Sequence, residues 1–278
     1  MKRLLIWLGR NKLIAILLAI ITYFSIVTFH DEITQLAIKI RNAFGRDEYN
    51  AFLGYGFLVL LLLVIALFAW HIYRGKQKML NIFLAVMITV MMLFSFRFLM
   101  VYNIEAIHFV EYGILAIILL PVFRSYGETV FWVTLLGIVD ELFQYFFLVP
   151  EFEYFDFNDN VLNLLGAGLG VILIHALAGQ TLAMKKLIWY RSPAILTGIG
   201  LLLLFLILQF TGKMTINPTA GSENWFSLNR ETMPDEFWKE AYPGRRFHIL
   251  KPFEGIAVIY LLFIWFFFLD IIRGHSAK

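Results

Sequence analysis

An all-α, polytopic membrane fold is predicted by three features of the sequence. Hydrophobic residues make up 60% of the 278 positions and charged residues only 15%, against about 45–50% and about 25% in an ordinary soluble domain. Several segments run about 20 residues with almost no charge, the length that crosses a hydrocarbon core about 30 Å thick. Runs this long and continuous are helices, because strands of a membrane barrel are about 10 residues long and alternate in polarity.

Eight spans are expected, at 12–29, 51–73, 79–101, 106–123, 128–149, 160–183, 193–211 and 253–272. Arg10 and Lys12 interrupt the first apolar run, and the stretch that follows is long enough to span, so the start reads as a signal anchor rather than a cleaved leader. Residues 31–50 place Ile33, Leu36, Ala37 and Ile40 at helical spacing against Asp31, Glu32, Lys39 and Arg41. That pattern suits an amphipathic helix in the membrane interface or, equally, a short helix capping the bundle. The segment 212–252, with Trp225, Pro234, Trp238 and Pro243, shows no obvious regular structure and is long enough to fold over one mouth of the bundle. The chain therefore divides into N-terminal spans (1–101), a central three-span core (102–183) and a C-terminal pair with its long loop (184–278).

Orientation follows from the basic residues of short loops, which stay in the cytoplasm. With the N-terminus inside, the inner flanks hold Lys2, Arg3, Arg10, Lys12, Arg74, Lys76, Lys78, Arg124, Lys185, Lys186, Arg191, Arg273 and Lys278, with Glu128 the main acidic exception. The outer loop 150–159 carries Glu151, Glu153, Asp156 and Asp159 and no Lys or Arg. Both termini are expected in the cytoplasm, and the net charge of +3 is explained by this loop bias without any nucleic-acid partner. Cysteine is absent, which excludes disulfides, thiolate nucleophiles and Cys-based metal sites.

The spans of the core are not uniformly apolar. HFVEYGILAIILL follows Glu105, so that Glu105, His108, Glu111 and Tyr112 fall on one face of the fourth span. Asp140 and Glu141 interrupt the fifth span, with Gln144 one turn beyond Glu141. In the sixth, Asp156 and Asp159 lead into NVLNLLGAGLG, where Asp159 and Asn163 share a face and Gly166 and Gly170 form a GxxxG pair. Because these spans run inward, outward and inward, all three clusters fall at one level of the outer leaflet. At about 1.5 Å per residue, Glu111 lies roughly 8 Å and Glu141 roughly 12 Å inside their helix ends. Ionisable groups in a span cost about 2.5–3.5 kcal/mol each on insertion scales and normally face a cavity or a partner. Gly166 and Gly170 would let a neighbouring helix approach closely enough to bring the polar faces together.

Outside this layer, Arg97 at the outer end of the third span is placed to neutralise the acids or to snorkel to the interface. GRRFHILKPFEG, with Arg245, Arg246, His248 and Lys251, is suited to an anionic headgroup. Tyr23, His30 and His71 read as anchors at span ends.

HFVEYGILA, DELFQYF and FDFNDNVLNLLGAGLG, in this order across residues 105–172, resemble the VanZ-like family of membrane proteins. That family is named after an accessory protein of glycopeptide resistance linked to teicoplanin. The family pattern is a His followed by Glu-Tyr, a Glu three before a Gln, and an Asp four before an Asn leading into spaced glycines. His108, Glu111, Tyr112, Glu141, Gln144, Asp159, Asn163, Gly166 and Gly170 match it. The family also commonly has an arginine after the Glu-Gln helix, whereas here that loop reads VPEFEYFDFND, leaving Arg97 or the region of Arg245 to supply the charge. Spans one, two, seven and eight lie outside the resemblance.

Three functions fit these residues. In the first, an enzyme acts on an envelope lipid or lipid-linked precursor. His108, Glu111, Glu141 and Asp159 are its catalytic set, with proton transfer between paired carboxylates. Tyr112, Gln144, Asn163, Arg97 and His248 contact the substrate. The same acids with His108 could hold a divalent cation of the Mg²⁺, Ca²⁺ or Mn²⁺ type. In the second, the protein binds a lipid-linked cell-wall precursor or a lipoglycopeptide without bond chemistry, as the resemblance implies. In the third it is a lipid or proton-coupled transporter, against which stand the one-sided polar layer and the lack of an inverted repeat. No GxSxG, HExxH or GxxxxGK[ST] motif is present.

Overall fold

The computed structural model describes residues 2–74, 78–149, 153–178, 184–185, 188–218 and 225–276. Its helices are α1 (Lys2–Arg10), α2 (Lys12–Phe44), α3 (Arg46–Arg74), α4 (Lys78–Phe98), α5 (Ile107–Phe123), α6 (Tyr126–Phe143), α7 (Phe157–Ala178), α8 (Pro193–Phe210) and α9 (Pro252–Ser276). The fold is an all-α polytopic bundle. Seven helices among the described residues are long and apolar enough to cross a membrane, and the third expected span, 79–101, holds a shorter apolar helix, Ile82–Phe98. Lys76, Glu151, Lys186 and Lys278, the inner end of the sixth expected span at 179–183, and the side chains of His71 and Asp31 lie outside the described residues.

The amphipathic segment 31–50 is not a separate helix. Its helical part continues α2, whose 33 residues make a rod about 50 Å long at about 1.5 Å per residue, well beyond a hydrocarbon core. Gly45, at φ 91°, ends that rod, its N–H donating to the Arg41 carbonyl, and α3 begins immediately afterwards. A positive φ is cheap only for glycine, so the break falls at this residue.

Position in the bundle follows the polarity of each helix. The span of α7 is 89% buried, against 11% for that of α8. α7 is the central helix, packed by α3, α4, α5, α6 and α9, while α2, α3 and α8 turn Leu13, Ile21, Leu58, Leu62, Leu203 and Ile207 outward. Outward-facing apolar side chains are costly in water and natural in lipid.

Close approach of α5 to α7 depends on three glycines. A methyl group on Gly166 would lie 2.6 Å from the His108 carbonyl oxygen, one on Gly170 would overlap the Gly113 carbonyl, and one on Gly113 would come 3.3 Å from the Gly166 carbonyl. Backbone therefore rests on backbone, with no room for Cβ atoms between the helices.

The segment 212–252 has regular structure. β1 (Met214–Thr215) pairs in parallel with β2 (Phe226–Ser227), and β3 (Lys239–Tyr242) forms an antiparallel hairpin with β4 (Arg245–Phe247) through Gly244 at φ 84°. This lid is tied down by backbone hydrogen bonds. His248 N–H donates to the Phe98 carbonyl at 2.7 Å, and Asn158 donates to the Leu99 and His248 carbonyls at 2.9 and 2.7 Å. Asn50 donates to the Tyr242 hydroxyl at 2.9 Å, adding α3 to the same network.

At the far end of the bundle, the carboxylate of Asp270 on α9 caps α6. It accepts from Ser125 Oγ at 2.7 Å, from Tyr126 N at 2.8 Å and from Gly127 N at 2.9 Å. The acidic exception among the basic flanks, Glu128, accepts from Ser192 Oγ at 3.0 Å. Both acids are therefore parts of the helix-end framework there.

Candidate functional site

The polar layer is assembled from one turn each of three helices at the lid end. His108 enters from the start of α5, Asp140 and Glu141 from the end of α6, and Asp159 from the first turn of α7. His108 stands between two carboxylates, with Nδ1 3.9 Å from Glu111 Oε2 and Nε2 3.7 Å from Asp159 Oδ2. Donor atoms of His108, Glu141 and Asp159 all lie within 4.8 Å of one another. The spacing could hold a metal ion between them.

Burial grades across the set. His108 and Glu141 are buried, while the side chains of Glu111 and Asp159 keep 14% and 21% of their exposure. The accessible edge is thus acidic and the floor holds the imidazole. His108 Nδ1, Glu111 Oε2, Asp140 Oδ1, Glu141 Oε1 and Gln144 Nε2 are buried and make no hydrogen bond. An unsatisfied buried polar atom costs about 1–3 kcal/mol, so a concentration of them marks a place built for something other than packing. Among the described residues the ion pairs of this layer come from His108 alone, without a lysine or arginine.

The floor is rigid. The Tyr112 hydroxyl donates to Asp140 Oδ2 at 3.1 Å with the ring fully buried. Asn163, also fully buried, faces His108 and Glu141. Gly137 makes room for both: a methyl there would lie 2.8 Å from Asn163 Nδ2 and 3.0 Å from the Tyr112 ring. Directly after Phe143 the helix widens into a π turn, Gln144–Leu148, a form that often accompanies functional sites.

Several expected members have other duties. Glu105 belongs to a 3₁₀ turn, Asn103–Ala106, and its carboxylate accepts from the backbone N–H groups of Val101 and Tyr102, both at 2.9 Å. It caps the entry to α5. Arg97 is exposed, donates to the Arg246 carbonyl at 3.5 Å and lies over the Phe98 ring at 5.7 Å. His248 stacks on Phe237 and contacts Glu254 Oε2 at 3.1 Å, so its ring serves the lid. Arg245 donates to the Phe96 and Met100 carbonyls at 2.9 and 2.7 Å, closing the end of α4. Neither Arg97 nor Arg245 pairs with the acids.

Other residues enter unexpectedly. His30 on α2 stacks on His108, ring centroids 6.4 Å apart, and Tyr23, two turns earlier on the same helix, donates to the Leu136 carbonyl at 3.2 Å. The two are therefore packed against the core rather than acting as anchors. His30 had one legible signal: it ends the first span, Lys12–His30, at the same end of the bundle as the layer. An arginine of the lid reaches the end of the Glu-Gln helix. Arg230 donates to the Val149 carbonyl at 2.9 Å and to that of Tyr145, and its guanidinium covers the Tyr145 ring at 4.3 Å. No local pattern pointed to it.

Two cavities flank the first turn of α7. One, about 280 Å³, is polar and lies under the lid, lined by Glu105, Glu153, Tyr154, Asp156 and Lys239 among others. The other, about 360 Å³, is almost wholly apolar and lies between α6, α8 and α9, with the Asn160 amide on its wall. Asn160 is fully buried, and its Oδ1 makes no hydrogen bond.

Asp156 caps α7, its Oδ1 accepting from Asp159 N at 3.1 Å. Burial, and after it the Asp159 carboxylate, push Asp156 up to about 7. The folded state therefore holds its proton more tightly than the unfolded chain. The stability this contributes is fully present below about pH 4 and is lost as pH rises through about 7. Thermal unfolding in detergent is expected to show a melting temperature that declines between pH 5 and 8, and less steeply in Asp156→Asn. Equal slopes in the two proteins would remove Asp156 as a titrating group of the fold.

The fold and this layer define a class: a polytopic helical membrane protein with a buried acid–histidine cluster at one end of its bundle. Residues 55–178 match the VanZ/LLP1 family model, and over that region the chain resembles that family. The match starts well before the motifs at 105–172 and takes in α4 and most of α3, so the second span, expected outside the resemblance, lies mostly within it. No match was found among curated proteins or solved structures.

Proposed function

We propose that this VanZ-like protein binds, and acts by proton transfer on, an envelope lipid or lipid-linked cell-wall precursor of the extracytoplasmic leaflet of the plasma membrane. The observation that carries the reading is the pair Asp159 and Asn160. These neighbours, about 100° apart around α7, serve different places, the first the His108–Glu141 cluster and the second the wall of the apolar cavity. An amphiphile needs a polar place for its headgroup and an apolar one for its chain at the same depth, and this turn offers both. Basic flanks at the end away from the lid support a lid that faces outward. On this reading His108, Glu141 and Asp159 receive the headgroup and Glu111, at the accessible edge, exchanges its proton, while Tyr112, Gln144 and Asn163 orient it. Without cysteine, and with no activated serine motif, the attacking group in any hydrolysis is water.

Native mass spectrometry of the detergent-purified protein tests this. Wild type is expected to carry a co-purifying lipid that is reduced in Glu141→Gln and in Asn160→Leu, each variant retaining a folded elution profile. Equal lipid on all three would end the reading and leave a hydrogen-bonded framework in its place.

A further inference from the structure

We propose that His108, Glu141 and Asp159 are the protein ligands of a divalent metal ion. Each comes from a different helix, and each offers a donor atom within 4.8 Å of the other two. Two ligands of a tetrahedral ion with bonds of about 2.1 Å stand about 3.4 Å apart. The 3.7 Å between His108 Nε2 and Asp159 Oδ2 is close to that value and too long for a hydrogen bond. These atoms face each other without bonding, as the ligands of one ion do.

The unpaired atoms give a second and independent observation. Glu141 is only 3% exposed, yet Oε1 makes no hydrogen bond, and Gln144 Nε2 one turn away is likewise unpaired. A carboxylate with an unpaired buried oxygen, set among other carboxylates in a layer that holds no lysine or arginine among the described residues, is repelled and desolvated together. A dication between Glu141 and Asp159 offsets both costs.

The second side of the imidazole also fits. With Nε2 toward the acids, Nδ1 faces Glu111 Oε2 at 3.9 Å. Carboxylate, histidine and metal in line is the usual arrangement by which a neighbouring acid fixes the tautomer and raises the basicity of the ligand, and closure of this gap to a hydrogen bond on metal binding would complete it. Glu111 is thus a positioning residue. The ligand set of one imidazole and two carboxylates suits Mn²⁺ or Zn²⁺, and three protein ligands leave a position for water or a headgroup oxygen on the accessible side of Asp159. The ion site does not require that a lipid be bound.

The test uses the full chain in detergent, stripped with EDTA, dialysed and titrated with Mn²⁺ or Zn²⁺ alone. One ion per chain is expected. Asp159→Asn and Glu141→Gln should each weaken affinity by about tenfold or more, and Glu111→Gln by about tenfold. Pulsed electron paramagnetic resonance of Mn²⁺ on wild type should show one directly bound nitrogen, retained in Glu111→Gln and lost in His108→Gln. The proposal is overturned if neither ion binds stoichiometrically, if folded Asp159→Asn binds as wild type does, or if bound Mn²⁺ shows no coupled nitrogen. The nitrogen measurement needs only the wild-type chain, so it decides the matter even if the variants fail to fold.

Discussion

Gly170→Ala is expected to be the most damaging single-methyl change in the bundle. The added Cβ would overlap the Gly113 carbonyl oxygen, and both partners are backbone, so no side chain can rotate away. Overpacking typically costs about 1–3 kcal/mol, and relief here requires moving α5 bodily from α7, which puts the loss at about 3 kcal/mol or more. Since α5 carries His108 and Glu111 while α7 carries Asp159, separation of the helices also widens the polar layer. Thermal unfolding in detergent against Gly200→Ala makes the comparison. Gly200 has nothing within 4 Å of its missing Cβ, and alanine favours a helix interior by about 0.5–1 kcal/mol over glycine. Gly200→Ala should therefore hold or raise the melting temperature while Gly170→Ala lowers it. If both behaved alike, the close contact of α5 with α7 would be wrong.

Asp270→Asn is the second large effect, and it acts at the opposite end. The carboxylate accepts three hydrogen bonds at the start of α6, two of them from backbone N–H groups that the helix itself leaves without partners. An asparagine amide turns one acceptor into a donor facing these donors. With the residue only 4% exposed, at least one buried N–H or O–H loses its partner, at about 1–3 kcal/mol for each. The melting temperature should fall, and Asp270→Ala should fall further because no acceptor remains. Lipid and metal retention in the surviving folded fraction should match wild type, since Asp270 lies at the other end of the helices that form the layer. A melting temperature unchanged in both variants would show that Ser125 and water cap α6 unaided.

An arginine at the end of the Glu-Gln helix illustrates where reading along the chain stops. The loop 150–159 is acidic, and the nearest basic candidates by position were Arg97 and Arg245. The lid instead brings Arg230 to the Tyr145 and Val149 carbonyls across more than 80 residues of sequence. The lid itself was legible as a cover but not as two small sheets, because strands of two to four residues have too few positions to show alternation. The continuation of α2 to Phe44 was hidden for a related reason. A change from apolar to amphipathic composition marks where a helix leaves the membrane, not where it ends, and only Gly45 signalled the break.

By itself the sequence determined the helical membrane class, the approximate spans and the residues of the polar layer. Each of these rests on local quantities: continuous hydropathy over a bilayer thickness, the 3.6-residue period, and the alternating direction of successive spans that set His108, Glu141 and Asp159 at one level. The tertiary structure decided which members of that level face one another. It joined His108 to Asp159, stacked His30 behind them, assigned Glu105 to a backbone cap, and placed Asn160 in an apolar cavity. Those outcomes depend on the rotation of each helix about its axis, which the backbone contact of Gly113 with Gly166 and Gly170 sets between α5 and α7. That rotation is a property of the packed pair, so no single segment carries it.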